Sequence, residues 1–313
     1  MGTRPGYAAE ASGVKSRHSR KGDGETRRFS SHGASCRFLF LAFFVYFAVS
    51  SHAQNLDSLS ISIQTGTSEQ KRDALFQIRN LRSESASRIA LLALKDSDPI
   101  VRATAASSVV FLPKPEAITV LSELLNDKDR FVRKETSYAL GLISDPDAAA
   151  PLMTLLQREL DPELRTAAVI ALGTSRNPRA LPSLIQMLYV RPREETEFLR
   201  RSAARSIGTI AQSLRSGETY VVTPQSFLQA KVWILEGNDL VREHPEFSNA
   251  AASLIRVLRN KVESDDTRRE AAFALGAIGD KTAIGVLESH RSSSDPYLAE
   301  ICKEALLKIK TPE

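Results

Sequence analysis

The apolar positions of residues 54–313 recur with the spacing of an amphipathic α-helix and seldom alternate as in a β-strand. Two segments, RFVRKETSYALGLISDPDAAAPLMTLL and PELRTAAVIALGTSRNPRALPSLIQML, align when Arg133 and Arg165 are superposed. The same anchor position recurs at Lys71, Arg102, Arg200, Arg268 and Ala299. A motif that returns at such a period predicts an array of similar helical units.

Each copy carries the same pattern of small and aliphatic residues around its anchor. Three and six residues after the anchor the side chain is small in most copies, and seven residues after it the side chain is aliphatic. These offsets share one face of a helix, so neighbouring helices can approach closely there. A glycine stands eight residues after the anchor in four copies, near where each helix is expected to end. These glycines are Gly141, Gly173, Gly208 and Gly276.

A second apolar helix is expected after each anchor helix, as in the run Ile118, Leu121, Leu124 and Leu125. The predicted fold is therefore all-α, an α-solenoid of stacked helix–turn–helix units that share one continuous core. The interval from Arg200 to Arg268 is about twice the others, so a degenerate repeat or an insertion lies there. We assign an atypical insertion to about residues 215–245. It carries Trp233, a candidate contact for a partner.

An aspartate stands four residues before the anchor in several copies, and a proline often follows it. Aspartate at the N-cap with proline in the first turn is a strong helix start. The anchor arginine can pair with its own aspartate or with that of a neighbouring repeat. The resulting structural ladder is Asp98, Arg102, Asp129, Arg133, Asp161 and Arg165.

The segments DPIVRATAA, DRFVRKETSYALGLI, DPELRTAAVIALG and TRREAAFALGAIGD resemble HEAT repeats, especially the short HEAT-like repeats first noted in phycocyanobilin lyases. The resemblance covers roughly residues 68–214 and 246–310. It implies an α-solenoid that binds other proteins along its inner face. The motifs are structural, so the resemblance alone names no catalytic residue.

Residues 1–53 read as an export signal. A long basic n-region precedes an apolar stretch at residues 38–49, and small residues follow at Ser51 and Ala53. Cleavage would leave residues 54–313 as the solenoid, in the periplasm or secreted. The alternative is a membrane anchor formed by an uncleaved segment 38–49.

The net charge and the positions of the histidines limit the functions that the sequence can support. The full chain has a net charge of +5, yet residues 54–313 carry 34 Lys and Arg against 34 Asp and Glu. Such a balance disfavours a groove for nucleic acid. The resemblance also admits di-iron hydroxylases with His-Glu pairs on their repeats, but neither His244 nor His290 is followed by glutamate. We therefore expect no metal site, no cofactor and no catalytic residues.

Cys302 is the remaining cysteine of residues 54–313, so it forms no disulfide within that part of the chain. It stands three residues after an anchor, in the column of small residues, which favours a buried packing role. The alternative is a reactive or chromophore-attaching thiol.

Positions one and five residues after the anchor are expected to line the concave face. Aromatic and arginine side chains are common energetic anchors of interfaces. The candidate protein-binding residues are Lys134, Tyr138, Ile170, Arg201, Arg205, Arg269 and Phe273. They predict a protein partner with an acidic or apolar segment.

These observations favour an exported, non-enzymatic scaffold or adaptor. The first alternative is a HEAT-like lyase or lyase-accessory protein that attaches a tetrapyrrole. A HEAT-like enzyme acting on nucleic acid is a weaker alternative.

Overall fold

The computed structural model describes residues 55–217 and 237–310, and the regular structure in these ranges is helical. The repeats begin with the helices that carry the anchor positions, here called the anchor helices. They are α2 (Ser68–Leu81), α4 (Pro99–Ser108), α6 (Arg130–Ile143), α8 (Pro162–Ser175), α10 (Glu194–Ser216), α13 (Asp265–Ile278) and α15 (Pro296–Lys310). The second helices are α3 (Glu84–Ala90), α5 (Lys114–Leu124), α7 (Ala149–Arg158), α9 (Leu181–Leu188), α12 (Glu246–Arg259) and α14 (Ile284–Ser289). Residues 55–65 form α1, and Gly237–Glu243 form α11.

The anchor helices pack on one another in chain order. Helix α2 packs on α4, α4 on α6, α6 on α8, α8 on α10, α10 on α13, and α13 on α15. The aliphatic column seven residues after the anchor is buried throughout, for example at Leu140, Leu172 and Leu275. Each described anchor helix buries its apolar stripe against its neighbours, so stability comes from the contacts between repeats. The predicted all-α solenoid is confirmed.

The described helices of the long interval after Arg200 pack as one repeat. Helix α10 packs directly on α13, and α12 packs on α9 and on α13. Helix α12 therefore takes the place of the second helix in the repeat that α10 begins. Trp233, the predicted insertion contact, lies outside the described residues, as does the predicted signal segment 1–53.

The aspartates of the ladder lie at the N-caps of their helices. Asp98 Oδ1 accepts the N–H of Ile100 at 2.8 Å, and Asp129 Oδ1 accepts that of Phe131 at 2.8 Å. Asp161 Oδ1 accepts the N–H of Glu163 at 2.9 Å. Each cap satisfies amide groups that have no partner within the helix, and its charge suits the positive end of the helix dipole.

The arginines of the ladder do not pair with those cap aspartates, so this part of the prediction is wrong. Arg102 binds Asp127 and Arg133 binds Glu159, and each of these carboxylates stands two residues before the next cap. Arg165 has no carboxylate in the equivalent contact, and its Nη2 lies 3.0 Å from Met187 Sδ. The capping oxygens already face their own amides, so the earlier carboxylate is better placed to reach the arginine.

Gly141, Gly173 and Gly276 each stand two residues before the last residue of their helix, as predicted, whereas Gly208 lies in the middle of α10. The residues that cap these ends have positive φ, as Ser144 and Arg176 do. A Cβ on Gly173 would lie 2.9 Å from Ser206 Cα, and one on Gly276 would lie 2.8 Å from Ala305 Cα. The absent side chain lets successive anchor helices approach each other.

Candidate functional site

One cavity of about 630 Å³ opens on the face of α8, α10, α13 and α15. Four predicted binding residues meet in it, because the offsets one and five fall on one side of adjacent anchor helices. Its lining residues are Ile170, Phe198, Arg201, Ser202, Arg205, Asp266, Arg269, Glu270, Tyr297 and Ile301. A volume of this size suits a small organic ligand or a side chain. We call this site the arginine cavity.

The other predicted binding residues lie elsewhere. Lys134 and Tyr138 are on α6, outside the lining, and Lys134 Nζ lies 3.4 Å from Glu163 Oε2. Tyr138 is 37% exposed. Phe273 is 7% exposed, so the expectation that it faces solvent is wrong. Its ring packs against the position of Gly208, where the absence of a side chain makes room for it.

The three arginines of the cavity are held differently. Arg201 Nη1 and Arg269 Nη1 each lie 2.7 Å from a carboxylate oxygen of Asp266. Arg269 also donates to Asp295, at 2.8 Å from Nε and 2.9 Å from Nη2. Arg205 has a weaker hold, because its Nη1 lies 3.5 Å from Glu270 Oε1. Charge-assisted hydrogen bonds are usually shorter than this, so the Arg205 guanidinium is the most available for a ligand.

Two of the cavity arginines pack over aromatic rings. The Arg201 guanidinium lies 5.0 Å from the centre of the Phe198 ring, and that of Arg269 lies 5.1 Å from the centre of the Tyr297 ring. The attraction between cation and ring fixes the guanidinium planes and keeps an apolar surface beside them. The cavity therefore combines positive charge with apolar walls.

Glu270 is the buried carboxyl group of the cavity. Its side chain is 5% exposed, and its Oε2 has no hydrogen-bond partner among the described residues. Burial raises the pKa of Glu270 to about 7, against the opposing charges of Arg205 and Arg201. A carboxyl group with this pKa can give or take a proton near neutral pH.

Glu270 was not among the predicted residues, and neither were Phe198, Asp266 and Tyr297. A usable signal was present. Offsets of minus two and plus two flank the same helix face as plus one and plus five, and they hold these side chains. What the pattern cannot give is the burial of Glu270, which depends on how α10 and α15 cover α13.

The possible metal ligands do not converge. Among the described residues there is no group of three or more His, Cys, Asp or Glu side chains that could hold a metal ion. His290 Nδ1 lies 2.8 Å from the Val286 carbonyl oxygen at the end of α14, and His244 packs edge-on to Phe247. Both rings are engaged in local contacts at helix ends, so the donors in this part of the chain do not fit a metal centre.

Cys302 is fully buried, in the column of small residues where the repeat pattern places it. Burial raises the pKa of its thiol to about 12. A thiol with this pKa carries almost no thiolate at neutral pH, which fits a packing residue and disfavours a reactive one.

Comparison with known families identifies the repeats. A family model described as HEAT repeats matches residues 63–140, 85–173 and 132–208, and a model described as PBS lyase HEAT-like repeat matches residues 267–290. The chain is a HEAT-repeat protein. An engineered protein of known structure shares this fold with a TM-score of 0.51 and 18% identity, over 82% of this chain and 69% of its own.

Similar natural proteins include deoxyhypusine hydroxylases. Deoxyhypusine hydroxylase-B of Oryza sativa subsp. japonica is 28% identical over 74% of this chain and 84% of its own length. The phycocyanobilin lyase subunit alpha of Synechococcus elongatus is 38% identical, but over 25% of this chain and 30% of its own length. The match to the hydroxylase covers most of this chain, whereas the match to the lyase subunit covers a short stretch.

These relatives overturn two predictions about the HEAT-repeat protein. The expectation of a non-enzymatic scaffold or adaptor is wrong, because the relatives that match over most of its length are enzymes. The expectation of an exported protein, periplasmic, secreted or membrane-anchored, is wrong for the same reason, since it resembles these hydroxylases over most of its length. Within the described ranges, no helix is long and apolar enough to cross a membrane.

Proposed function

We propose that this HEAT-repeat protein is an enzyme whose substrate occupies the arginine cavity, with Glu270 as the group that transfers a proton. The observation that carries the proposal is the Glu270 carboxyl group, buried in the wall of a ligand-sized cavity with its Oε2 unpartnered among the described residues. Its pKa of about 7 suits either direction of proton transfer at neutral pH.

The surrounding residues fit this role. Arg205 approaches Glu270 Oε1 and can stabilise negative charge that develops on the carboxylate or on the substrate. Arg201 and Arg269 are fixed by Asp266, so the positive field of the cavity is preorganised before a substrate arrives. Phe198 and Tyr297 supply apolar surface on which the body of a substrate can pack.

Hydroxylation, the reaction in the name of the rice relative, is not part of the proposal. The His-Glu pairs that the family resemblance would imply for a hydroxylase are not formed by His244 or His290, because neither precedes a glutamate. The donors of the described ranges do not gather into a metal centre either. A proton-transfer reaction needs only groups that the arginine cavity holds.

The test compares the full chain with Glu270→Gln, which keeps the shape and removes the titrating group. Each protein is incubated with a small-molecule cell extract, and compounds consumed or formed are followed by mass spectrometry. We expect a compound that the wild type converts and that Glu270→Gln leaves unchanged. Glu163→Gln is the matched control, because that carboxyl group is exposed on the neighbouring helix α8. Equal conversion by the wild type and Glu270→Gln, or no conversion by either, would contradict the proposal.

A further inference from the structure

We infer that the substrate of the arginine cavity is an organic carboxylate with an apolar body, bound with its carboxylate between Arg205 and Glu270. This inference rests on the proposed function, because it names the ligand of the same site. Three features carry it: the excess of positive charge, the buried hydrogen-bond donor and the apolar walls.

The charged groups of the lining do not balance. Three guanidinium groups face two carboxyl groups, and one of these, Glu270, is largely protonated below neutral pH. Asp266 is shared by Arg201 and Arg269, and Asp295 holds Arg269 from outside the lining. Arg201 also lies 4.0 Å from Glu197, whereas Arg205 is paired with Glu270. When Glu270 takes up a proton, Arg205 loses this counter-ion, so an anion is the complementary ligand beside it.

The protonated Glu270 supplies the second contact. Its hydroxyl group is a hydrogen-bond donor. Glu270 lines the cavity, and its Oε2 is buried without a partner in the described part of the chain. An unpaired donor in a buried site is unfavourable, and an acceptor on the ligand removes that cost. A carboxylate is planar and offers two oxygens, one for the Arg205 guanidinium and one for the Glu270 hydroxyl.

The remaining lining defines the body of the ligand. Phe198 and Tyr297 lie beneath the guanidinium groups of Arg201 and Arg269, and Ile170 and Ile301 complete the wall. A small inorganic anion would leave these apolar side chains in contact with water. An aromatic or aliphatic body would cover them, and that burial adds affinity in proportion to its area.

The binding depends on pH in a defined direction, because the charged form of Glu270 repels the ligand. The charged and titratable groups that line the cavity with Glu270 are Arg201 and Arg205 of α10, Asp266 and Arg269 of its own helix α13, and Tyr297 of α15. The lining includes no residue of α11 or α12, which also pack on α13. We therefore expect the proton on Glu270 to control the affinity for an anion near neutral pH.

The experiment measures binding of 2-naphthoate to the full chain by isothermal titration calorimetry, with 2-naphthamide as the uncharged comparison. We expect 2-naphthoate to bind, and 2-naphthamide to bind with at least tenfold lower affinity. From one pH unit below to one unit above the Glu270 pKa of about 7, the affinity should fall about tenfold. Glu270→Gln should bind with an affinity that no longer changes over this range.

The variant Arg205→Gln should weaken binding of 2-naphthoate about tenfold or more, and its thermal melt reports whether it is folded. Arg130→Gln is the matched control, because this arginine is 72% exposed on α6 and lies outside the cavity. Equal binding of the amide, a wild-type affinity independent of pH, or full affinity in a folded Arg205→Gln variant would overturn the inference.

The carboxylate could belong to a protein C-terminus or to a small molecule, and a second experiment distinguishes these two. In it, a short acetylated peptide ending in phenylalanine competes with 2-naphthoate. Stronger binding of the peptide points to a protein C-terminus, and stronger binding of naphthoate to a small molecule. If the protein converts an extract compound in a Glu270-dependent reaction but does not bind 2-naphthoate, the proposed function stands and the inference of a carboxylate substrate is wrong. If the protein binds 2-naphthoate but converts no compound, the carboxylate-binding site stands and the proposed enzymatic function is wrong.

Discussion

Arg102 donates two hydrogen bonds to Asp127 across the boundary between two repeats, from Nε to Oδ2 at 2.7 Å and from Nη2 to Oδ1 at 2.8 Å. Both side chains are less than a tenth exposed. Asp127 Oδ1 also accepts the N–H of Asp129, the residue that caps α6. A single carboxylate therefore joins the anchor helix of one repeat to the start of the next.

Replacement of this carboxylate should loosen the boundary. Asp127→Asn leaves the Arg102 charge buried without its counter-ion, so we expect the free energy of unfolding to fall by about 3 kcal/mol. Urea unfolding followed by circular dichroism measures the loss. Glu123→Gln, an exposed carboxyl group on the adjacent helix α5, is the control and should change little. An equal effect of the two substitutions would contradict the role given to the pair.

Low pH should remove the stabilisation that the Arg102–Asp127 ion pair provides. Burial by itself raises the pKa of Asp127, but the hydrogen bonds from Arg102 and from the Asp129 N–H outweigh it and bring the pKa below the ordinary 3.8. A lowered pKa stabilises the folded state above the unfolded pKa, and the contribution is lost as the pH falls through the folded value. The difference in urea midpoint between wild type and Asp127→Asn should therefore shrink below pH 3.8. A difference that stays constant in acid would show that the ion pair does not cause it.

The close approach of α8 and α10 gives a prediction with a matched pair. A Cβ on Gly173 would lie 2.8 Å from Ser206 Cβ and 2.9 Å from its Cα, so Gly173→Ala forces the two helices apart. We expect a loss of about 1–3 kcal/mol in unfolding free energy. Gly285→Ala meets nothing within 4 Å, and alanine is the better helix former, so this variant should be neutral or up to about 1 kcal/mol more stable. A stable Gly173→Ala variant would contradict the packing assigned to this column.

Glu270 should titrate near pH 7, and this can be seen directly. The ¹³C resonance of its carboxyl carbon, assigned by its absence in Glu270→Gln, should move with a midpoint of about 7. Because the folded pKa lies above the ordinary 4.5, the wild type should lose up to about 3 kcal/mol of stability relative to Glu270→Gln as the pH rises from 4.5 to 7. A midpoint near 4.5 would mean that the carboxyl group is not buried as described.

Cys302 should be inert in the folded protein. Its pKa of about 12 and its complete burial predict that dithiodipyridine labels it at the rate at which the chain unfolds, and not faster. The full chain also contains Cys36, so Cys302→Ala supplies the background. This variant should melt close to the wild-type temperature, because alanine occupies the same column in other repeats. Rapid labelling of Cys302 in the native protein would favour the alternative of a reactive thiol.

The site was predictable in part. The rows one and five residues after the anchor led to Ile170, Arg201, Arg205 and Arg269, because residues at equal offsets in stacked helices share one face. The same rows wrongly included Phe273 as a solvent-exposed residue, since its burial depends on the space left by Gly208 in the preceding anchor helix. They also missed Glu270, because it stands two residues after its anchor, outside these rows, and because its burial depends on the neighbouring helices.

The repeat unit, the positions of the capping aspartates and the fold class could be predicted from the sequence alone. These follow from helical periodicity and local hydrogen bonding, which act over a few residues and recur in each copy. The tertiary structure alone decided the partner of Arg102, the role of Gly173 and the burial of Glu270. Each depends on the distance between residues about 25 to 65 positions apart in the chain, as in the contacts Arg102–Asp127 and Arg205–Glu270. Such distances are set by how successive repeats stack, and a pattern read within one repeat does not contain them.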